Sequence, residues 1–303
     1  MKRLLALLCA LLLLSGCGAG QEREEFTIAC TTYPVYLLAN TNAGDVDGVS
    51  VRLVVDQQVS CLHDYTLTVT DMKVLEGADV VAINGAGLED FLGDALDARQ
   101  VIDLDEDIDL IATEEPHAEE SHSGDAHHHD GADPHIWMDP RSYAQMARTL
   151  SAALAEQDPA HADTYQNRGE AAARELERFC GELLDSPAGA EVRGRSIITF
   201  HDGFAYFARA FGLTIAAAIE EEEGAEASAQ ELRRTIEIVE RERLPAVFTE
   251  VNGSANAAGI IARECGVAVY PLSMVMSGEA GDTIAAYERA IQANLDTIRR
   301  AYP

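Results

Sequence analysis

Residues 78–104, ADVVAINGAGLEDFLGDALDARQVIDL, contain the pattern that decides the fold. Two apolar runs of strand length, at 80–84 and 101–104, flank a helix-like segment at 88–96. A strand, a helix and a second strand in succession are typical of parallel strand pairs. Because both strands are almost wholly apolar, the segment predicts a mainly parallel sheet that is covered by helices on both faces.

The same alternation extends in both directions from this segment. Upstream, strands are predicted at 26–30 and 51–55, with a helix at 71–77. Downstream of Gly189, four further strands are predicted at 196–200, 213–219, 246–249 and 267–270. Ser228 and Glu231 match a capping box that opens a helix running towards Glu242, and an amphipathic helix at 284–298 closes the chain.

A stretch with few helix breakers, residues 158–187, separates the two alternating regions. Asp158 and Pro159 resemble an N-cap followed by proline at the first helical position, so one long helix is predicted here. The predicted fold class is α/β, with two lobes at 26–157 and 188–303 joined by a long rigid helix. Each lobe has a mainly parallel sheet flanked by helices. Ligand groups are expected in the cleft between the lobes, where the carboxyl ends of parallel strands usually present them.

The N-terminal residues have the pattern of an export signal. Two basic residues precede an apolar run at 4–14 that is too short to span a bilayer as a helix. Cys17 ends the sequence Leu-Ser-Gly-Cys, which resembles the lipobox of bacterial lipoproteins. We therefore expect a signal peptide at 1–16, lipidation at Cys17 and a tether at 17–25; an ordinary signal peptide cleaved nearby is the alternative. The predicted location is extracytoplasmic, with a lipid anchor in the cell membrane.

Charge and composition narrow the possible partners. The chain has 52 acidic and 22 basic residues, a formal net charge of −30, and 47% apolar residues. The apolar fraction is sufficient for a packed core. The negative charge should repel nucleic acid and anionic lipid, so neither is expected as a partner of the main surface. It attracts cations without selecting among them.

Four cysteines remain beyond the signal segment and Cys17: Cys30, Cys61, Cys180 and Cys265. They allow three disulfide pairings, among which the sequence does not choose. None has the close Cys-x-x-Cys spacing of a structural zinc site. A disulfide and simple buried thiols both stay open.

The nine histidines fall into two groups. Five lie in a segment at 112–132 that is rich in Asp, Glu, Gly and Ala, and this segment predicts a mobile loop. It is either a low-affinity metal collector or a tolerated insertion. Among the others, His161 falls in the helical stretch and is expected on the surface. His63, His135 and His201 each follow a strand or lie in a tight turn, with an aspartate nearby.

Several motifs resemble, in order and spacing, those of the solute-binding lipoproteins of zinc and manganese ABC transporters. They are Thr-Tyr-Pro at 32–34, His-Asp-Tyr at 63–65, Gly-Leu-Glu-Asp-Phe-Leu at 87–92, Asp-Pro-His at 133–135, Phe-His-Asp at 200–202 and Phe-Thr-Glu at 248–250. The histidine-rich acidic insert before residue 133 is characteristic of the zinc branch. The resemblance implies a monomer that binds Zn²⁺ between its lobes and delivers it to an ABC permease.

The resemblance assigns the metal ligands to His63, His135 and His201. Three neutral imidazoles suit a borderline-soft ion such as zinc, and their affinity should fall as pH drops through the ordinary histidine range near about 6.5. Manganese members typically carry a carboxylate at the position of His201. The chain departs from the family at 269–272, Val-Tyr-Pro-Leu, where many members have an aspartate. The fourth ligand is therefore left open: it is water, a carboxylate such as Glu250, or another group.

Other functions are considered beside zinc transport. A manganese or iron carrier on the same fold is the main alternative, and a zinc-dependent adhesin or hydrolase are the others. The sequence has no His-Glu-x-x-His motif and no Gly-x-Ser-x-Gly elbow. We therefore do not expect an enzyme.

Asp64 and Asp202 are candidates to orient the neighbouring imidazoles.

Overall fold

The computed structural model describes residues 25–57, 62, 65–113, 131–219, 227–251, 253 and 255–302. The predicted lipidation site Cys17, the ligand candidate His63, the neighbouring Asp64, Cys61 and the five histidines of the insert lie outside the described residues. Two four-stranded parallel sheets dominate the described part of the chain. The predicted fold class, two parallel α/β lobes with flanking helices, is confirmed.

The first sheet has the strand order β2-β1-β3-β4. Its elements are β1 (Phe26–Cys30), α1 (Tyr33–Ala43), β2 (Val49–Leu53), α2 (Val69–Glu76), β3 (Val80–Ile83), a 3₁₀ segment (Asp90–Leu96), β4 (Val101–Asp103) and a second 3₁₀ turn (Ile136–Met138). Thr32 caps α1 and Thr68 caps α2, each through its hydroxyl. The helix-like segment at 88–96 is not α-helical, because Gly93 with φ 46° interrupts it.

Two long helices, α3 (Pro140–Gln157) and α4 (Ala162–Asp185), lead from the first lobe to the second. The predicted start of the long helix at Asp158 is wrong. Asp158 instead ends α3, and its carboxylate lies 2.6 Å from His161 Nδ1 and accepts a hydrogen bond from the Tyr165 hydroxyl at 2.8 Å. His161 is therefore a partly buried residue at the start of α4 and not a solvated one.

The second sheet has the strand order β6-β5-β7-β8. Its elements are α5 (Pro187–Val192), β5 (Ser196–Thr199), α6 (Ala205–Phe211), β6 (Thr214–Ala218), α7 (Ala229–Glu242), β7 (Ala246–Glu250), α8 (Asn256–Cys265), β8 (Ala268–Leu272) and α9 (Ile284–Ala301). The capping box predicted at Ser228 and Glu231 is present, with both of its hydrogen bonds. The observed strands start or end within about two residues of the predicted ones.

One apolar core extends across both lobes. The segment before α9 contacts α1 of the first lobe directly: Tyr33 donates to the Asp282 carboxylate at 2.7 Å, and the Gly281 amide donates to the Tyr36 hydroxyl at 2.9 Å. Trp137, which is fully buried, donates from Nε1 to the Met274 carbonyl at 2.8 Å. These contacts hold the carboxyl ends of the two sheets close to each other.

The described cysteines are thiols. Cys30 and Cys180 are buried and Cys265 is partly exposed, and none of the three is in a disulfide. Burial raises the pKa of the Cys30 thiol well above its usual range, which makes it unreactive. Within the described residues, no helix is long and apolar enough to cross a membrane.

Candidate metal centre

Two of the three predicted ligand histidines lie together. His201 follows β5 of the second lobe by two residues, and His135 immediately precedes the 3₁₀ turn Ile136–Met138. Their Nε2 atoms are 3.0 Å apart, and the two rings meet edge to face at 86°. Two nitrogen ligands of a tetrahedral zinc ion, each at about 2.0–2.1 Å from the metal, would be separated by roughly 3.3 Å. The two imidazoles are thus positioned nearly as zinc would require.

Asp133 fixes the orientation of the first imidazole. Its Oδ1 atom lies 2.7 Å from His135 Nδ1 and accepts a hydrogen bond from the His135 backbone N–H at 2.9 Å. A carboxylate at Nδ1 favours the tautomer with the proton on that nitrogen, which leaves a lone pair on Nε2. His135 therefore presents an electron-pair donor to the cleft.

Glu250 has a comparable position beside the second imidazole. Thr199 of β5 and Phe248 of β7 are register partners in neighbouring parallel strands. His201 and Glu250 each follow two residues later, and they therefore lie next to each other. Glu250 Oε1 lies 3.6 Å from His201 Nδ1. This nitrogen is on the opposite side of the ring from the one that faces His135, so Glu250 is placed to support His201.

The electrostatic surroundings favour a cation between the two Nε2 atoms. Asp133 Oδ2 and Glu250 Oε1 are buried and have no hydrogen-bond partner among the described residues. A cation between the two Nε2 atoms is stabilised by the buried carboxylate of Asp133, and its charge favours release of the proton that burial holds on Glu250. A metal ion between the two facing Nε2 atoms satisfies this arrangement. The described residues contain no group of three or more His, Cys, Asp or Glu side chains able to hold a metal, and His63 lies outside them.

The sequence did not identify Asp133 and Glu250 as supports of the imidazoles. Asp202, considered for that role, is an exposed residue. The Asp-x-His spacing at 133–135 was a usable signal, because an aspartate side chain often hydrogen-bonds to the backbone N–H two residues later. The Glu250 contact had no such local signal, since it depends on the pairing of β5 with β7.

The segment that carries His135 is also held by the second lobe. The Tyr206 hydroxyl, on α6, donates to the Asp133 carbonyl at 3.0 Å and accepts from the Ile111 N–H at 2.9 Å. Next to it, the Thr113 N–H donates to the Gly131 carbonyl at 2.7 Å and joins the two ends of the histidine-rich insert. The base of the insert is therefore two residues from Asp133, close to the paired imidazoles.

Replacing Asp133 by alanine is expected to weaken metal binding by about 10–100-fold, because His135 loses the carboxylate that sets its tautomer and ring orientation. The measurement is competition with an indicator dye, after metal has been removed with a chelator. Asp202→Ala is the matched control, since it removes an exposed aspartate adjacent to a site histidine and leaves in place the carboxylate that lies 2.7 Å from His135 Nδ1. Equal losses in the two variants would contradict the assignment.

Glu250 should make the stability of the metal-free protein depend on pH. Burial raises the pKa of its carboxyl to about 8, from an ordinary value near 4.5. The folded state thus holds the proton more tightly than the unfolded chain, and the resulting stability is lost as pH rises through about 8. Between pH 6 and pH 9 this group alone should lower the free energy of unfolding by about 2–3 kcal/mol.

Glu250→Gln removes this titration, so its free energy of unfolding should fall less than that of the wild type over the same pH interval. Urea denaturation at both pH values measures the difference. Glu264→Gln, at an exposed position, controls for the loss of one carboxylate. Parallel pH dependences in the wild type and Glu250→Gln would show that Glu250 does not titrate as argued.

Two parallel α/β lobes, joined by long helices and presenting imidazoles from both lobes at the cleft, define the class of two-lobed solute-binding proteins. Residues 28–301 match the family model of the periplasmic component A of zinc-uptake complexes, ZnuA, and the chain belongs to this family. The resemblance stated from the motifs is confirmed.

Individual relatives differ in the metal that their names state. The zinc-binding lipoprotein AdcA of Streptococcus pneumoniae is 25% identical over an alignment of 305 positions, which covers 98% of this chain and 60% of that protein. The manganese-binding lipoprotein MntA of Halalkalibacterium halodurans is 24% identical, with 95% of this chain and 93% of that protein covered. This chain thus spans about 60% of the length of AdcA, and nearly all of MntA.

A mutant structure of the laminin-binding adhesin Lmb from Streptococcus agalactiae superposes with a TM-score of 0.75. Its sequence is 24% identical, and the match covers 92% of this chain and all of that one. At this identity the comparison shows the fold, which is the two-lobed arrangement described above.

Proposed function

We propose that this protein is the extracytoplasmic metal-binding component of an ABC importer, and that Zn²⁺ is the ion it carries. The observation that supports this most directly is the 3.0 Å approach of His135 Nε2 and His201 Nε2. One imidazole comes from each lobe, so a bound ion would join the lobes. His63, the third ligand implied by the motifs, completes a set of nitrogen donors.

The donor types favour zinc over manganese. Zinc accepts imidazole nitrogens in four-coordinate geometry, whereas manganese prefers carboxylate, carbonyl and water oxygens in octahedral geometry. The groups that face each other across the cleft are nitrogens, and the nearby carboxylates of Asp133 and Glu250 face Nδ1 atoms. Because the named relatives include both zinc-binding and manganese-binding proteins, the proposal of zinc rests on this donor chemistry.

The proposed role is capture and delivery without turnover of a substrate. The protein is held at the outer face of the cell membrane by lipid on Cys17, takes up Zn²⁺ between the lobes and presents it to the permease. AdcA and MntA are named as metal-binding lipoproteins, which agrees with a carrier. The proposed role of the histidine-rich insert is to collect zinc for the cleft, and the support for it is that the base of the insert, at Thr113 and Gly131, lies next to Asp133.

A metal titration tests this proposal. The mature chain, with Cys17→Ser, is stripped with a chelator and titrated separately with zinc and manganese against a competing dye. A second form lacks residues 114–130 and joins Thr113 to Gly131, which are hydrogen-bonded neighbours in the structure. We expect one tight zinc in both forms and much weaker manganese binding. Tighter manganese binding would overturn the choice of metal, and no tight site for either ion would overturn the carrier function.

A further inference from the structure

A methionine lies against the paired imidazoles on one side. Gly203 has no side chain, and a Cβ built on it would lie 2.3 Å from Met274 Cε, 2.7 Å from His201 Cδ2 and 3.0 Å from His135 Cδ2. The Met274 methyl group and the two imidazole edges therefore converge on the same small space. In each ring Cδ2 is bonded to Nε2, so the methyl group lies beside the edges that carry the proposed metal-binding nitrogens.

The backbone holds Met274 in this position from both sides. The carbonyl of Met274 accepts the Trp137 indole N–H at 2.8 Å, and the Trp137 ring packs against His135 with ring centroids 5.3 Å apart. The preceding residue, Ser273, is paired by both its N–H and its carbonyl with the side chain of Asn294 on α9, each at 2.8 Å. Met274 is thus positioned by buried groups of both lobes.

Val275, the residue after Met274, has a strained backbone conformation. Val275 has φ 59°, which is a genuine outlier for a β-branched residue, and it is buried. Such a conformation persists only where the surrounding structure determines it, and it is found preferentially at functional sites. The strain indicates that the backbone of residues 273–275 is held in the conformation that keeps Met274 against the imidazoles.

The buried methyl group of Met274 limits which ligands can reach an ion held by the imidazoles. Met274 is only 5% exposed, and its side chain carries no oxygen and no charge. An ion held by the imidazoles cannot acquire water or a carboxylate from the Gly203 side while the methyl group is there. A low coordination number with nitrogen donors is suited to zinc, whereas manganese needs additional oxygen ligands.

We propose that Met274 is a specificity-determining residue, which closes the metal site on the Gly203 side and excludes the oxygen ligands that manganese requires. This inference rests on the proposed function, because it concerns the same cleft. It goes further because it assigns the preference for zinc over manganese to Met274. This residue does not bind the metal itself but keeps oxygen ligands away from it.

Three substitutions of Met274 test the inference in the mature Cys17→Ser chain. Met274→Leu keeps an apolar side chain of similar volume. Met274→Ala opens the space to water, and Met274→Glu places carboxylate oxygens there. Dissociation constants for zinc and manganese are measured by dye competition on chelator-stripped protein, and their ratio is compared with that of the wild type. Met146→Ala, at a fully buried methionine of α3, controls for the loss of packing, and circular dichroism confirms folding.

We expect Met274→Leu and Met146→Ala to leave the zinc preference within about threefold of the wild type. Met274→Ala should reduce the preference by about tenfold or more, and Met274→Glu should reduce it further by strengthening manganese binding. A preference unchanged in both Ala and Glu variants would overturn the inference. A loss in Leu as large as in Ala would also overturn it, because the sulfur itself would then be the ligand. Failure of the proposed function is distinct, since the wild type would lack a tight zinc site.

Discussion

Replacing His201 by alanine is expected to weaken zinc binding by roughly 10²–10³-fold. Structural zinc sites have apparent binding free energies of about 10–16 kcal/mol shared among four ligands, so one ligand accounts for about 2.5–4 kcal/mol. His201 comes from the second lobe and provides one of the two facing Nε2 atoms. Among the described residues, no further His, Cys, Asp or Glu side chain forms a metal-binding group of three with this pair. Calorimetric or dye-competition titration of chelator-stripped protein measures the loss.

His161→Ala is the control for this variant. It removes an imidazole that also lies close to an aspartate, 2.6 Å from Asp158 Oδ2, but at the start of α4 and outside the proposed metal centre. Zinc affinity should be unchanged in this variant. If His201→Ala retained wild-type zinc affinity, the assignment of the site to the cleft would be wrong.

Replacing Trp137 by alanine is expected to lower the free energy of unfolding by about 3–5 kcal/mol, the range for truncating a large buried aromatic side chain. Trp137 is fully buried in the core that extends across both lobes. Its ring packs on His135, and its Nε1 donates to the Met274 carbonyl. The variant should therefore lose stability and metal affinity together. Urea denaturation of the metal-free protein, followed by zinc titration at low temperature, measures both.

Trp137→Phe separates packing from hydrogen bonding. It keeps an aromatic ring in the core but leaves the buried Met274 carbonyl without its donor, which should cost about 1–3 kcal/mol. Tyr143→Phe is a comparable control, because it removes one buried donor, to the Pro34 carbonyl at 2.6 Å, without touching the cleft. A Trp137→Ala protein as stable as the wild type would show that the contact between the lobes is not important for folding.

Much of the secondary structure was predictable because its signals are local. Apolar runs of strand length identify the eight strands of the described residues within about two positions, and the capping box at Ser228 identifies the start of α7. Where two local signals compete, prediction failed. The Asp-Pro pair at 158–159 resembles a helix start, yet Asp158 ends α3 and its carboxylate contacts His161 and Tyr165. The segment at 88–96 has helical composition, but Gly93 prevents a continuous helix.

The sequence by itself determined the fold class, the family and the histidines that are candidates for the metal, because periodicity and ordered motifs are properties of the chain alone. His63 remains a prediction, since it lies outside the described residues. Only the tertiary structure decided that His135 faces His201 at 3.0 Å, that Glu250 lies 3.6 Å from His201 Nδ1, and that Met274 lies beside both imidazole edges. The physical reason is that each of these contacts joins residues far apart in the chain. Their distances depend on strand register and on how the two lobes pack, which no local pattern encodes.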